Sequence, residues 1–200
     1  MSPLRKDEQR FLLGLARRAI AASLAGAPLE LDAEGARLPS EELKRPAITF
    51  VTLRRQGRLR GCLGSLRPGD PLYRSVAECA ILAAFHDPRF TPVAPDEAPG
   101  LEIEISVLSP FFRVEPDQIR PGEHGLLISQ GFQRGLLLPQ VAHEHGWSRE
   151  RFLEETCCKA GLAPDAWKKG AEVKAFTALV FSEAASGVDT PGPDSREGAA

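Results

Sequence analysis

One short pattern occurs twice in this chain, and a repeat constrains a fold more tightly than any single segment. Gln56-Gly57-Arg58-Leu59-Arg60-Gly61-Cys62-Leu63 lines up with Gln130-Gly131-Phe132-Gln133-Arg134-Gly135-Leu136-Leu137, matching at Gln, Gly, Arg, Gly and the last Leu. Each copy runs from a hairpin into a helical stretch, then an Ala-Pro-Asp turn (Ala94-Pro95-Asp96 and Ala163-Pro164-Asp165), then an alternating strand. The pattern implies internal duplication of a ββαβ-like unit, with repeats over about 46–110 and 120–182. Helices grouped on antiparallel strands, without steady β-α-β alternation, define the α+β class. The two units are expected to share one antiparallel or mixed sheet with flanking helices.

The elements are read from periodicity. Ser2-Pro3 starts a helix over 3–25, in which Leu4, Phe11, Leu12, Leu15, Ala19 and Ile20 recur at helical spacing until Gly26. The stretch from Ala27 to Pro46 reads as a surface connection. Ile48-Thr49-Phe50-Val51-Thr52 begins a strand, and Gln56-Gly57 turns it into a second one. Asp70-Pro71 opens a helix with Leu72, Val76, Cys79, Ala80 and Ala83 on one stripe, which His86-Asp87-Pro88 ends. "LEIEISVL" alternates as a strand buried on one face should. Beyond it come a strand pair around "LLISQGFQRGLLL", one helical stretch from Pro139 through "RFLEETCCKAGL", and a last strand, "KAFTALVFS". Residues 184–200 have the composition of a disordered tail.

Composition narrows the function classes. Of 200 residues, 42% are hydrophobic and 26% charged, with a formal net charge of -2, as in an ordinary globular protein and not a basic nucleic-acid binder. No apolar run reaches the ~18 residues of a membrane span, and the start lacks a signal-peptide pattern, so a cytoplasmic location is expected. Cys62, Cys79, Cys157 and Cys158 form no CxxC pair and read as reduced thiols. No zinc spacing occurs, and His143-Glu144-His145 diverges on a helix, so neither metal nor cofactor is expected.

The candidate site is the second hairpin strand, "RLRGCLGS". On a regular strand Arg58, Arg60 and Cys62 share a face, which sets a guanidinium beside a thiol and favours the nucleophilic thiolate. Gly61 and Gly64 would let a ligand approach the backbone. His86 is a candidate acid or base for Cys62, and Arg89 and Glu104 are candidate lining residues, the arginines suiting a small anion. The opposite reading is also physical. Cysteine is a small buried hydrophobe, Leu136 fills the same slot in the second repeat, and Arg89 pairs locally after a helix stop. Arg54, Arg55, Arg58, Arg60 and Arg67 make a local basic patch, yet without the interleaved aromatics of a nucleic-acid stacking platform. "GCLG" is no phosphate-binding loop.

"LRGCLGS", "AAFHDPRFTPV", "EIEISVLSP", "GLLLPQVAHEHGW" and "FLEETCCKAGL" together resemble the AMME syndrome chromosomal region candidate family, whose bacterial and archaeal branch is called AmmeMemoRadiSam system protein A. The resemblance implies a single AMMECR-like domain over 1–182 with Leu59 to Gly64 as its hallmark segment. It names no reaction, so whether the chain is an enzyme stays open. It implies Memo-like and radical SAM proteins as partners. Three functions follow as expectations: a small-molecule or modification site at Cys62 and Arg60, a noncatalytic partner protein of that system, and, ranked last, nucleic-acid or nucleotide binding.

Overall fold

In the computed structural model, which describes residues 4–27, 29–66 and 69–186, apolar residues three and four apart wind the start of the chain into α1 (Lys6–Leu24). The Glu8 carboxylate accepts the Arg5 N–H at 2.7 Å, satisfying one donor of the first turn. Gly26, at φ +67°, ends the helix in a conformation that favours glycine. Ser2-Pro3, read as its start, lies outside the described residues, as does Arg67 of the basic patch. The expected loop after α1 contains a short helix, α2 (Leu31–Gly35).

Two compact units follow from the chain's contacts, one comprising Met1–Val107 with the stretch from Val180, the other Leu108–Leu179. In the first, β1 (Thr49–Arg55) and β2 (Arg58–Ser65) form the expected hairpin. Gln56 and Gly57 both carry positive φ, 52° and 74°, the pattern of the primed turn that matches strand twist. α3 (Leu72–Phe85) and β3 (Leu101–Leu108) complete the motif. The alternation of β3 is as read: Leu101, Ile103, Ile105 and Val107 are all buried. They pack with Val51 and Leu53 on the α3 side of the sheet, and α1 lies on α3.

The second unit has β4 (Phe112–Arg113), the hairpin β5 (Gly125–Gln130) and β6 (Gln133–Leu137), then α4 (Pro139–Glu144), α5 (Arg149–Lys159) and β7 (Glu172–Phe176). Its core gathers Leu126 and Ile128 from β5 with Phe152, Leu153 and Cys157 from α5. The helical stretch expected as one piece is two, because Gly146 turns the chain at φ +60° and Ser148 caps a new helix, its hydroxyl accepting the Arg151 N–H at 3.2 Å. β8 (Ala178–Ser182) and α6 (Glu183–Ser186) end the described chain.

The α+β class holds, but the shared sheet does not. There are two four-stranded sheets, ordered β2-β1-β3-β8 and β4-β7-β5-β6. The stretch read as one final strand is β7 and β8, assigned to different sheets. The break falls at Thr177, whose N–H goes to the Ser109 hydroxyl at 3.0 Å and whose carbonyl accepts the Ser109 N–H at 2.8 Å instead of continuing a ladder. The second unit stops at Leu179.

Hairpin, helix and returning strand have the same arrangement in both sheets, β2-β1-β3 and β6-β5-β7. The glycine common to the repeats explains why. A Cβ on Gly61 would sit 2.1 Å from the Ala83 carbonyl oxygen of α3, and one on Gly135 would sit 2.3 Å from the Ala160 nitrogen at the end of α5. Each helix rests its C-terminal end on strand backbone that only glycine leaves bare.

The measurement that checks this is the urea unfolding midpoint. Gly61→Ala is expected to cost about 2–3 kcal/mol through overpacking against backbone that cannot yield. Gly57→Ala, in open space at positive φ, should cost only about 1 kcal/mol.

Candidate functional site

Cys62 lies directly across β1 from Thr52, and Thr52 lies across from Glu104 of β3, so the three side chains form a row over adjacent strands. Gly61 faces α3, and alternation turns Cys62 to the sheet's other face. The thiol is half-buried, and its sulfur accepts a hydrogen bond from the Thr52 hydroxyl at 3.3 Å. Thr52 itself is buried.

β2 is the outer strand of its sheet, which leaves one row of its backbone groups without a strand partner. At Cys62 the loop after α3 supplies that partner from side chains. The Asp87 carboxylate accepts the Cys62 N–H at 2.9 Å, while the Arg89 guanidinium donates to the Cys62 carbonyl at 3.1 Å. Asp87 and Arg89 also grip each other in a two-pronged ion pair, at 2.9 and 2.6 Å. Together they imitate the donor and acceptor of a neighbouring strand. Asp87 is buried, and the Arg89 guanidinium first, with the N–H groups of Cys62 and Arg89, holds its carboxyl well below the usual carboxylate range. Arg89 also interacts with the Cys62 side chain electrostatically.

That role was expected of Arg60, and the register explains the correction. Leu53 pairs with Gly61 but Arg54 pairs with Leu59, so Arg60 is the extra residue of a β-bulge. The bulge breaks the alternation that would have put Arg58, Arg60 and Cys62 on one face, and Leu59 takes the position on the Cys62 side. Arg60 turns to Glu97, with contacts of 3.1 and 2.9 Å, and donates to the Thr91 carbonyl at 2.9 Å. Glu97 also takes Arg55 at 2.9 Å. Hydrogen bonds from Arg60 and the Ala94 N–H lower the Glu97 carboxyl to about 2. Two arginines of the expected basic patch are thus held by one carboxylate.

The remaining candidates separate. His86 is exposed at the end of α3, and no hydrogen bond joins it to Cys62. Gly61 and Gly64 do not hold space for a ligand: α3 occupies the first, and on the opposite face a Cβ at the second would fall 2.4 Å from the Phe50 ring. Arg89 and Glu104 do converge on the Cys62 row. Cys79 and Cys157 are buried among core residues, and burial pushes both thiols up. Among the described residues no group of three His, Cys, Asp or Glu side chains could hold a metal, and no helix is long and apolar enough to cross a membrane.

Sequence reasoning missed Thr52 and Glu97, and read Asp87 as a helix stop or part of a site wall, not as a partner of the Cys62 backbone. Thr52 could have been found by counting the hairpin register back from the Gln56-Gly57 turn, allowing for a bulge. Nothing in the spacing from Arg60 to Glu97 signals their ion pair.

Two hairpin-helix-strand motifs, each packed on its own sheet, and a thiol row beside a carboxylate–guanidinium clasp define an α+β protein of one recurring kind. The chain belongs to the AMMECR1 family, whose model matches residues 13–181. It is 42% identical over 193 residues to a protein of Methanothermobacter thermautotrophicus, covering 91% of this chain and 97% of that one. A Pyrococcus furiosus protein is 43% identical over 192 residues, covering 89% and 90%. The crystal structure of an uncharacterised protein from Pyrococcus horikoshii superposes with a TM-score of 0.82 at 39% identity, over 95% of this chain and 96% of that one.

Both depressed carboxyls bind fewer protons in the folded chain than in the unfolded one. Their stabilisation is complete above the unfolded values, 3.8 for Asp87 and 4.5 for Glu97, and is lost as pH falls, for Glu97 through about 2 and for Asp87 lower still. Urea midpoints measured from pH 6 to 2 should therefore decline. Glu97→Gln should be less stable than wild type at pH 6 and show a shallower decline between pH 4.5 and 2; an identical slope would remove Glu97 from the account.

Proposed function

We propose that the chain binds a small anionic molecule at the Cys62 row, with the sulfur as the group that meets it and Arg89 as the cation that orients it. The observation that carries this reading is the half-buried Cys62 thiol, fixed by Thr52 and flanked by the one guanidinium whose partner, Asp87, also holds the strand. The Asp87 and Arg89 contacts serve the backbone, but the Thr52 hydroxyl reaches the sulfur itself, a contact a buried hydrophobe would not need. The chemistry available is transfer to sulfur from an anionic electrophile: an S–C bond forms, the carbon's bond to its leaving group breaks with the electron pair going to that group, and the thiol proton passes to water. The structure supports Arg89 in the role first read for Arg60, and it gives no support to His86 as the base.

A second reading, a noncatalytic partner of Memo-like and radical SAM proteins, draws on the family resemblance and on Leu59 and Arg58, exposed beside the first turn. It requires no reactivity at sulfur.

Charge-selective alkylation separates the two. In a Cys158→Ser background, iodoacetate should label folded Cys62 faster relative to iodoacetamide than it does in the urea-unfolded chain, by about threefold or more, because a nearby guanidinium concentrates anions. Arg89→Gln should return the ratio to its unfolded value. Labelling that begins only on unfolding, or a ratio indifferent to Arg89, would sink the thiol reading and leave the partner reading standing.

A further inference from the structure

The first unit contains a hollow of about 470 Å³ that none of the thiol chemistry uses. It lies between the C-terminal half of α1 and the segment 95–103, and its size falls within the roughly 300–1,000 Å³ of small-molecule sites. Its floor is Ile20, Leu101 and Ile103, each buried to 3% exposure or less. Small side chains keep it open: Ala21 on α1 and Ala25, one turn later at the helix's C-terminal cap, face it where any larger residue would fill it.

Among the described residues that line the hollow, Arg17 carries the one polar side chain. Its guanidinium has five N–H donors, and four are committed. Nε and one Nη2 hydrogen go to the two Glu183 oxygens at 2.8 and 2.6 Å, the other Nη2 hydrogen to the Leu101 carbonyl at 2.7 Å, and one on Nη1 to the Ala98 carbonyl at 3.2 Å. One Nη1 hydrogen remains. Glu183 cancels the Arg17 charge at contact distance and accepts the Ile103 N–H at 3.0 Å as well, so an anionic ligand would have to displace a carboxylate that also holds β3. No acidic side chain in the lining would receive a cation. Apolar walls, a neutralised ion pair and one spare donor therefore specify the ligand's character.

We propose that this hollow binds an uncharged, largely apolar small molecule with a single hydrogen-bond acceptor, of the alkyl or aryl ketone type. The apolar body lies against Ile20, Leu101 and Ile103, and the carbonyl takes the remaining Arg17 donor. The site is independent of Cys62.

Nile red, a neutral aryl ketone, is a direct probe for the full chain. The expected result is saturable binding at one site with blue-shifted emission, unchanged in Cys62→Ser. Ala21→Trp and Ala25→Trp should each weaken binding at least tenfold at unaltered circular dichroism and urea midpoint; both positions are exposed, so a bulky side chain enters without crowding the core, and either variant suffices if the other misfolds. Added 2-decanone should displace the dye at several-fold lower concentration than decanoate. The proposal is overturned by absence of saturable binding, by binding indifferent to both tryptophans, or by decanoate competing as well as the ketone. Light scattering that shows dye binding only in a dimer would make the hollow an interface between copies and would equally overturn it.

Discussion

The contact on which most of the first unit depends is the bare approach of a helix end to strand backbone at Gly61. Because no Cβ intervenes, the last turn of α3 lies directly on β2, and the chain leaving that turn emerges beside the strand's open edge. Asp87 and Arg89 are then within reach of the Cys62 N–H and carbonyl. An alanine at 61 would do more than create overlap: it would lift the helix end and carry the clasp away from the strand it protects. The same glycine thus sets local packing, edge protection and the surroundings of the thiol.

The clasp also recasts what a charged loop is for. Unprotected edge strands invite pairing with other chains, and bulges, charges or covering loops are the usual defences. Here the Arg60 bulge and the Asp87–Arg89 pair act on one strand within three residues of each other. Edge protection and the candidate thiol site consequently share atoms. A residue placed to satisfy a strand's backbone also brings its guanidinium to the thiol residue.

Much of the architecture was legible in the sequence because its signals are local. The alternation of Leu101 to Val107, the two-residue turn at Gln56-Gly57 and the helical stripe from Leu72 to Ala83 each depend on near neighbours, and each reads correctly. The repeated glycine marks a real structural equivalence, with the same packing reason at Gly61 and Gly135. What escaped reading depends on partners distant in sequence. The bulge at Arg60 is set by pairing with β1, and it reverses the face on which every residue towards the turn should lie. The break at Thr177 is fixed by Ser109, 68 residues earlier. For the candidate site, the strand and its cysteine were legible, whereas the identity of the neighbouring cation was not, since one extra residue in a strand exchanges Arg60 for Arg89.

The strand order carries a last consequence. β4 follows β3 in the chain but pairs with β7, while β8 follows β7 but joins β3. If the repeats descend from one ancestral unit, as we infer from their matched topology, each has handed its closing strand to its sibling. Such reciprocity makes the halves mutual hostages: a gene split after β4 would encode two fragments, each lacking the strand that completes its own sheet, so selection could no longer separate what duplication had joined.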